Sequence, residues 1–234
     1  MHFKGPDNDK SRFVVLVYDK AKELHAGVHS FMGDTVNVTW NVVRRTGNCE
    51  MKALSFFVQM RDDTGDTESY GAVSSGEGRF QMAGGELQAP LLHAEWYPRL
   101  QALTTLGASH NAVLTCRRTY EQAQFTINAR CVDLMLMGTE IIDVFEVLQE
   151  RPQAKGEEEW LYVLQAQGTA GPTLCNDRVS RAVKMCREVY FLEALMLLEQ
   201  CPPSEHSEMT QRLQDKVQRC VGGSLALSDF LNMK

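Results

Sequence analysis

The residues whose type and spacing suit chemistry begin near the amino terminus. In "VHSFMGDTVNVTW", Val28 to Trp40, a Gly33-Asp34 pair separates two short runs rich in Val, Phe and Thr. A carboxylate at a hairpin tip either helps to hold a divalent cation or closes a tight Asp-Thr turn, and both readings fit these residues. Arg99 stands four residues after Glu95, which reads as a solvated i,i+4 ion pair on a helix. His25 and His29 are four apart, but Gly27 between them argues against a helical metal pair. His93 and Glu95 are two apart and fall on different faces of a helix. "RRT" occurs at Arg44–Thr46 and Arg117–Thr119 and reads as a solvated turn, with Arg117 and Arg118 as a conceivable phosphate contact. "GEGRF", Gly76–Phe80, lacks the Gly-Lys-Ser/Thr of a phosphate-binding loop.

These groups need elements to position them. Apolar residues at Phe13, Val14, Val17, Ala21 and Leu24 have helical spacing, and Gly27 suits the end of that helix. "GVHSF" and "TVNVTWNVV" alternate and are β-branched, which predicts two strands around Asp34. "CEMKALSFFVQM" presents one apolar helical face. "YGAVSSGEGRFQMAGG" reads as two strands meeting at Gly76–Gly78, and "LLHAEWYPRLQALTTLG" as a helix started or interrupted by Pro98 and closed by Gly107. "NAVLTCRRTYEQ" gives a strand and a turn or short helix. "FTINARCVDLMLMGTEIIDVFEVL" gives two strands divided at Gly138-Thr139.

A charged break, Gln149 to Trp160, marks a boundary, and "WLYVLQAQG" is a further possible strand. Beyond it, "RVSRAVKMCREVYFLEALMLLEQC" reads as one helix capped by Asn176 or Asp177, and "SEMTQRLQDKVQRCV" as a second after Pro202-Pro203. The two resemble a tetratricopeptide-type hairpin. The expected organisation is a polar, disordered start over 1–11, a mixed α/β domain over 12–150, a linker over 151–172 and a helical extension over 173–234.

Composition narrows the class. The 234 residues carry a formal charge of -6 with 44% hydrophobic content, which suits a globular protein and disfavours nucleic acid as a partner. No apolar run approaches the roughly 20 residues that span a bilayer, and the start lacks a secretory apolar segment. The seven cysteines include no C-x-x-C pair, so reduced thiols in a cytoplasmic protein are expected. Cys49, near Arg44 and Arg45, is a conceivable reactive thiol. The methionines read as core fillers.

With that order assembled, residues 12–149 resemble the class III adenylate/guanylate cyclase homology domain. "VHSFMGDTVNVTW" followed by "CEMKALSFFVQM" is similar to that family's Gly-Asp hairpin and its following helix. "AVSSGEGRFQMAG" resembles the glycine-spaced segment, and "YPRLQALTTLGASHNAVLTCRRTYEQ" resembles the A-x-R-L helix with its glycine, Val-Leu strand and Thr-Tyr. "CVDLMLMGTEIIDVFEVL" resembles the closing strands. The resemblance implies an α/β (α+β), ferredoxin-like sandwich with helices on a mostly antiparallel sheet.

That family cyclises a nucleoside triphosphate using two divalent cations held by two aspartates. A transition-state arginine, with an asparagine one turn earlier, supports the developing charge and orients the ribose, and active sites form at the interface of two such domains. Carried onto this chain, the resemblance makes Asp34 the second metal aspartate and Arg99 the arginine. The asparagine position is Glu95, and the two purine-reading positions are Ser30 and Leu92. No opening F-x-D-I-x-G-F strand precedes Arg12, although Asp7 lies there, and "LMLMGTE" lacks the phosphate lysine.

The expected function is therefore a degenerate cyclase domain serving as a regulatory, dimerisation or scaffold module. Its partner would be another cyclase homology domain or the remainder of a larger protein. Half of a heterodimeric active site and a non-catalytic nucleotide sensor are the alternatives. No cofactor is expected beyond Mg2+ or Mn2+ at a residual nucleotide site.

Overall fold

The computed structural model describes residues 2–3, 7–33, 35–42, 44–64, 69–84, 89–151 and 171–232. They belong to two compact units, residues 1–123 and 124–234. The sequence break at Gln149 thus falls inside the second unit.

The first unit opens with strand β1 (His2–Phe3), helix α1 (Asp7–Glu23) and the hairpin β2 (Gly27–Met32) and β3 (Thr35–Thr39). Helix α2 (Cys49–Thr64), strand β4 (Ser69–Val73) and the ribbon β5 (Gly78–Ala83) and β6 (Ala89–Ala94) follow. Helix α3 (Tyr97–Ser109), strand β7 (Val113–Cys116) and the short helix α4 (Arg117–Glu121) complete it. β1 pairs antiparallel with β3 on one side and β4 on the other, β2 extends the order beyond β3, and β7 runs parallel to β4. α3 packs on β4 and β7, and α1 packs on α2.

The periodicity explains the helices. α1 buries Phe13, Val17 and Ala21, spaced by four, while α2 buries a wider stripe including Leu54, Phe56, Phe57 and Met60. Each of the Val, Leu, Phe and Met side chains among them contributes roughly 1.5–3 kcal/mol when fully buried. All four residues of β7 are buried, as expected of a strand covered on both faces.

Several expectations change. Residues 1–11, expected to be disordered, instead include β1 and the first turns of α1. A two-residue strand has no periodicity to read and is fixed by backbone pairing on both sides. The segment around Gly76–Gly78 is no hairpin, because β4 pairs with β1 and β7 while β5 pairs with β6. The first part of the expected "LLHAEWYPRL" helix is β6, and α3 begins only at Tyr97, with Pro98 in its first turn. α3 continues past Gly107 to Ser109. A side chain on Gly107 would lie 2.6 Å from the Ala112 carbonyl oxygen, so this glycine allows close packing rather than ending the helix.

The second unit begins with two eleven-residue antiparallel strands, β8 (Ile127–Met137) and β9 (Glu140–Glu150), turning at Gly138. Helices α5 (Gly171–Arg187), α6 (Phe191–Glu199), α7 (Glu208–Val221) and α8 (Leu227–Leu231) follow. α5, α7 and α8 pack on β8, and α6 packs on α5 and α7. The long helix expected from Asn176 onward breaks at Val189, where φ is +68°, giving α5 and α6. "WLYVLQAQG" lies outside the described residues. The architecture is mixed α/β, with mostly antiparallel strand pairing covered by helices.

Candidate functional site

The β2–β3 hairpin forms as expected. Met32 pairs with Thr35, Gly33 takes a left-handed φ of +60°, and Asn37 Nδ2 donates to Ser30 Oγ at 2.9 Å. Ser30 is thus tied across the hairpin. Asp34 itself lies outside the described residues. β1, between β3 and β4, carries His2 and Phe3 and no carboxylate, and the first acidic residue after it, Asp7, opens α1. Among the described residues, no group of three or more His, Cys, Asp and Glu could hold a metal ion. The described residues therefore do not make up a two-cation centre.

Arg99 sits in the first turn of α3. That turn is seated by Trp96, whose indole occupies the space a side chain on Gly76 would need, 2.7 Å from the ideal Cβ position. Glu95 precedes the helix and forms no ion pair with Arg99, so the expected i,i+4 pair is absent. Arg99 instead turns inward. Its Nη1 donates to Cys116 Sγ at 3.7 Å, and its Nε is buried without a hydrogen-bond partner.

Around it stands a polar cluster at the carboxyl ends of the parallel strands β4 and β7. Cys116 Sγ lies 3.4 Å from Thr119 Oγ1, which accepts from Ser75 N at 3.0 Å and lies 3.1 Å from Ser75 Oγ. Ser74 Oγ is buried without a partner. The cluster offers one guanidinium, hydroxyls and a thiol. None of the bonds that join it involves a carboxylate or an imidazole, so they supply no proton acceptor for general-base chemistry.

The sequence missed this cluster. "RRT" at 117–119 reads as solvated, and Arg117 and Arg118 are indeed exposed, with Arg117 Nη1 3.6 Å from Glu121 Oε1. Thr119, however, is wholly buried. The available signal was its place three residues after a strand with no exposed position. Cys49 does not support a reactive reading either. Burial, and then Glu50, pushes its thiol pKa up, and its Sγ donates to the Thr46 carbonyl.

The second unit holds buried charge of another kind. Arg130 Nε donates to Glu146 Oε2 at 2.9 Å, and Ser207 Oγ donates to the same oxygen at 2.8 Å. Arg130 Nη1 also reaches Asn176 Oδ1 and the Glu205 carbonyl. Asp133 is 1% exposed and accepts from Lys216 Nζ at 2.7 Å, from Arg212 Nη1, and from Leu134 N. Lys216 Nζ lies 4.4 Å from the centre of the Phe230 ring. Burial lowers the Lys216 pKa despite the attraction of Asp133. Arg187 Nη2 meets Asp143 Oδ1 at 3.1 Å. These pairs attach α5, α7 and their connection to β8 and β9.

Comparison with known proteins sets these features in a family of folds. No family model matches the chain, and no curated protein matches it. Among solved structures, the adenylyl cyclase CyaB from P. aeruginosa is similar, with a TM-score of 0.51 and 14% identity over 60% of this chain and 81% of that one. The guanylyl cyclase Cya2 gives 0.52 and 12% identity, covering 65% of this chain and 84% of that one. The non-canonical dimeric guanylyl cyclase domain of the RhoGC fusion protein from the aquatic fungus Blastocladiella emersonii gives 0.50 and 13%, covering 62% and 86%. At such identities the likeness concerns the fold, and the fold of this chain is that of the class III adenylyl and guanylyl cyclase catalytic domains.

Proposed function

We propose that this protein is a degenerate cyclase-fold module that serves signalling as a regulatory, dimerisation or scaffold element and does not itself cyclise nucleotides. In this reading residues 12–150 are the cyclase homology part and 173–234 a helical extension that presents it to a partner. The observation that carries the reading is the inward turn of Arg99 onto Cys116, beside a glutamate at the position where the family resemblance asks for asparagine. A guanidinium engaged with a buried thiol is not directed at a developing phosphate charge. A carboxylate at position 95 would repel a polyphosphate.

The test is an assay of the purified protein with Mn2+ and ATP or GTP. No cyclic AMP or cyclic GMP is expected, and formation of either overturns the proposal. A second reading, a non-catalytic nucleotide sensor, is favoured by the unpartnered Nε of Arg99, which leaves a donor for an anion. It predicts that the melting temperature rises along a nucleotide titration. A flat titration favours the scaffold reading.

A further inference from the structure

The helical part of the second unit brings two thiols together. Cys175 lies in the second turn of α5, and Cys201 follows α6 just beyond its Gln200 cap. They are 26 residues apart in the chain, and they are 2% and 3% exposed. Cys201 Sγ lies 3.8 Å from the Cys175 carbonyl oxygen and 3.8 Å from that of Leu197, and can donate to either. The Cys175 thiol in turn donates to Cys201. By contrast, Cys116 Sγ meets Thr119 and Arg99, and Cys49 Sγ donates to the Thr46 carbonyl, so these contacts join neither to a second thiol.

A carboxylate stands beside the pair. Arg130 Nη1 donates to Asn176 Oδ1 at 3.2 Å, next to Cys175, and to the Glu205 backbone carbonyl at 3.3 Å. One guanidinium nitrogen thus ties the connection before α7 to this turn of α5. Glu205 Oε2 is buried without a hydrogen-bond partner, and its charge reaches Cys175. Burial first, and then the hydrogen bond to Cys201, raises the Cys175 pKa. Burial and a raised pKa slow thiol exchange, but they do not set its equilibrium. Held side by side, each sulfur meets the other at a high effective concentration, and that closeness favours a bond between them.

We propose that Cys175 and Cys201 are a reversible disulfide pair that fixes the end of α6 to α5 under a sustained oxidising poise, with a small-molecule disulfide of the glutathione class as oxidant. The Cys175 proton passes to the Glu205 carboxylate, and the thiolate attacks the oxidant's disulfide. A mixed disulfide forms and one small thiolate leaves, taking the proton of Cys201. The Cys201 thiolate then attacks Cys175 Sγ, and the second small thiolate leaves with the proton held by Glu205. The two cysteines have lost two electrons and two protons, and one small disulfide has become two thiols. Entry of the oxidant requires α6 to lift transiently, so the response is slow. α6 has nine residues, too few to persist as an isolated helix, and a covalent bond at its end changes how firmly it is held. The inference is independent of the fate of the cyclase chemistry.

Equilibration of the full chain in glutathione buffers of rising oxidised fraction tests it. Remaining thiols are then blocked, and peptide mass spectrometry reads the linkages. Cys175–Cys201 should be the first intramolecular linkage to appear, dithiothreitol should reverse it, and the linked chain should melt several degrees higher. Cys175→Ala and Cys201→Ala should each remove that rise, whereas Cys49→Ala should keep it, with circular dichroism confirming that each variant is folded. Glu205→Gln should slow formation of the linkage at least about threefold and leave its equilibrium extent unchanged. The linkage data come from the unaltered chain, so a variant that fails to fold does not remove the test. Both thiols remaining free in the most oxidising buffer overturns the proposal. So does a linkage that forms first through other cysteines, and so does a linked chain that melts no higher. An unchanged rate in Glu205→Gln overturns the role of that carboxylate.

Discussion

The two units of this protein handle buried polar groups in opposite ways. In residues 124–234, the buried charges on β8 and β9 are each met by a partner: Arg130 by Glu146, Asp133 by Lys216 and Arg212, and Asp143 by Arg187. In residues 1–123, the guanidinium of Arg99 has one long contact to sulfur, and two buried polar atoms, its own Nε and Ser74 Oγ, have no partner. The second unit's unpartnered atoms, Glu205 Oε2 and His206 Nε2, lie in the connection before α7. A structural joint satisfies its charges because each unpaired one costs several kcal/mol. The first unit keeps buried polar side chains at the ends of β4 and β7 without a partner for each of them.

The largest test of that contrast is Asp133→Ala. It leaves Lys216 and Arg212 buried without a counter-charge, and urea unfolding should show a loss of about 3–5 kcal/mol. A loss below about 1 kcal/mol would mean that the pairing is not what holds α7 to β8.

Next in size is the alkaline limb. Burial first, and then Asp133, pushes the Cys186 thiol up to about 12 from 9.0. The folded state therefore holds a proton that the unfolded chain releases above pH 9, so stability falls as pH rises from about 9 towards 12, by roughly 1.4 kcal/mol per pH unit. Cys186→Ala should remove one proton's worth of that slope, which stability curves at pH 8, 9 and 10 would detect.

A smaller effect comes from the backbone. In the first unit, the described non-glycine residues with positive φ are His25, Asn41, Asn48 and Asn111, whereas in the second the residue is Val189. Asparagine tolerates that region and valine does not, so Val189→Gly should stabilise by about 1 kcal/mol. Its melting temperature should rise by a few degrees.

The smallest expected change sharpens the comparison most. Arg99→Met removes an under-paired guanidinium and should shift stability by less than about 1 kcal/mol in either direction. A loss near that of Asp133→Ala would show that the first unit's cluster is as complete as the second unit's joint.

Legibility varied with how local the cause was. The β2–β3 hairpin, α2 and the β8–β9 turn at Gly138 follow from alternation, helical spacing and glycine placement, and all appear where expected. The separate β5–β6 ribbon was not legible, because a glycine-rich segment gives no sign of which strand it will pair with. The break at Val189 was hidden for the opposite reason. The apolar spacing continues through it, and a β-branched residue is a poor signal for a left-handed turn.

The sequence by itself determined the elements and their order, since propensity and periodicity act over a few residues. From that order came the resemblance to the cyclase fold, along with the identities that mark Asp34, Glu95 and Arg99. Tertiary structure alone decided what Arg99 touches, which strand lies between β3 and β4, and how Arg130, Asp133 and Asp143 are neutralised. Those outcomes depend on groups 16 to 83 residues apart in the chain, brought together by packing that no local pattern encodes.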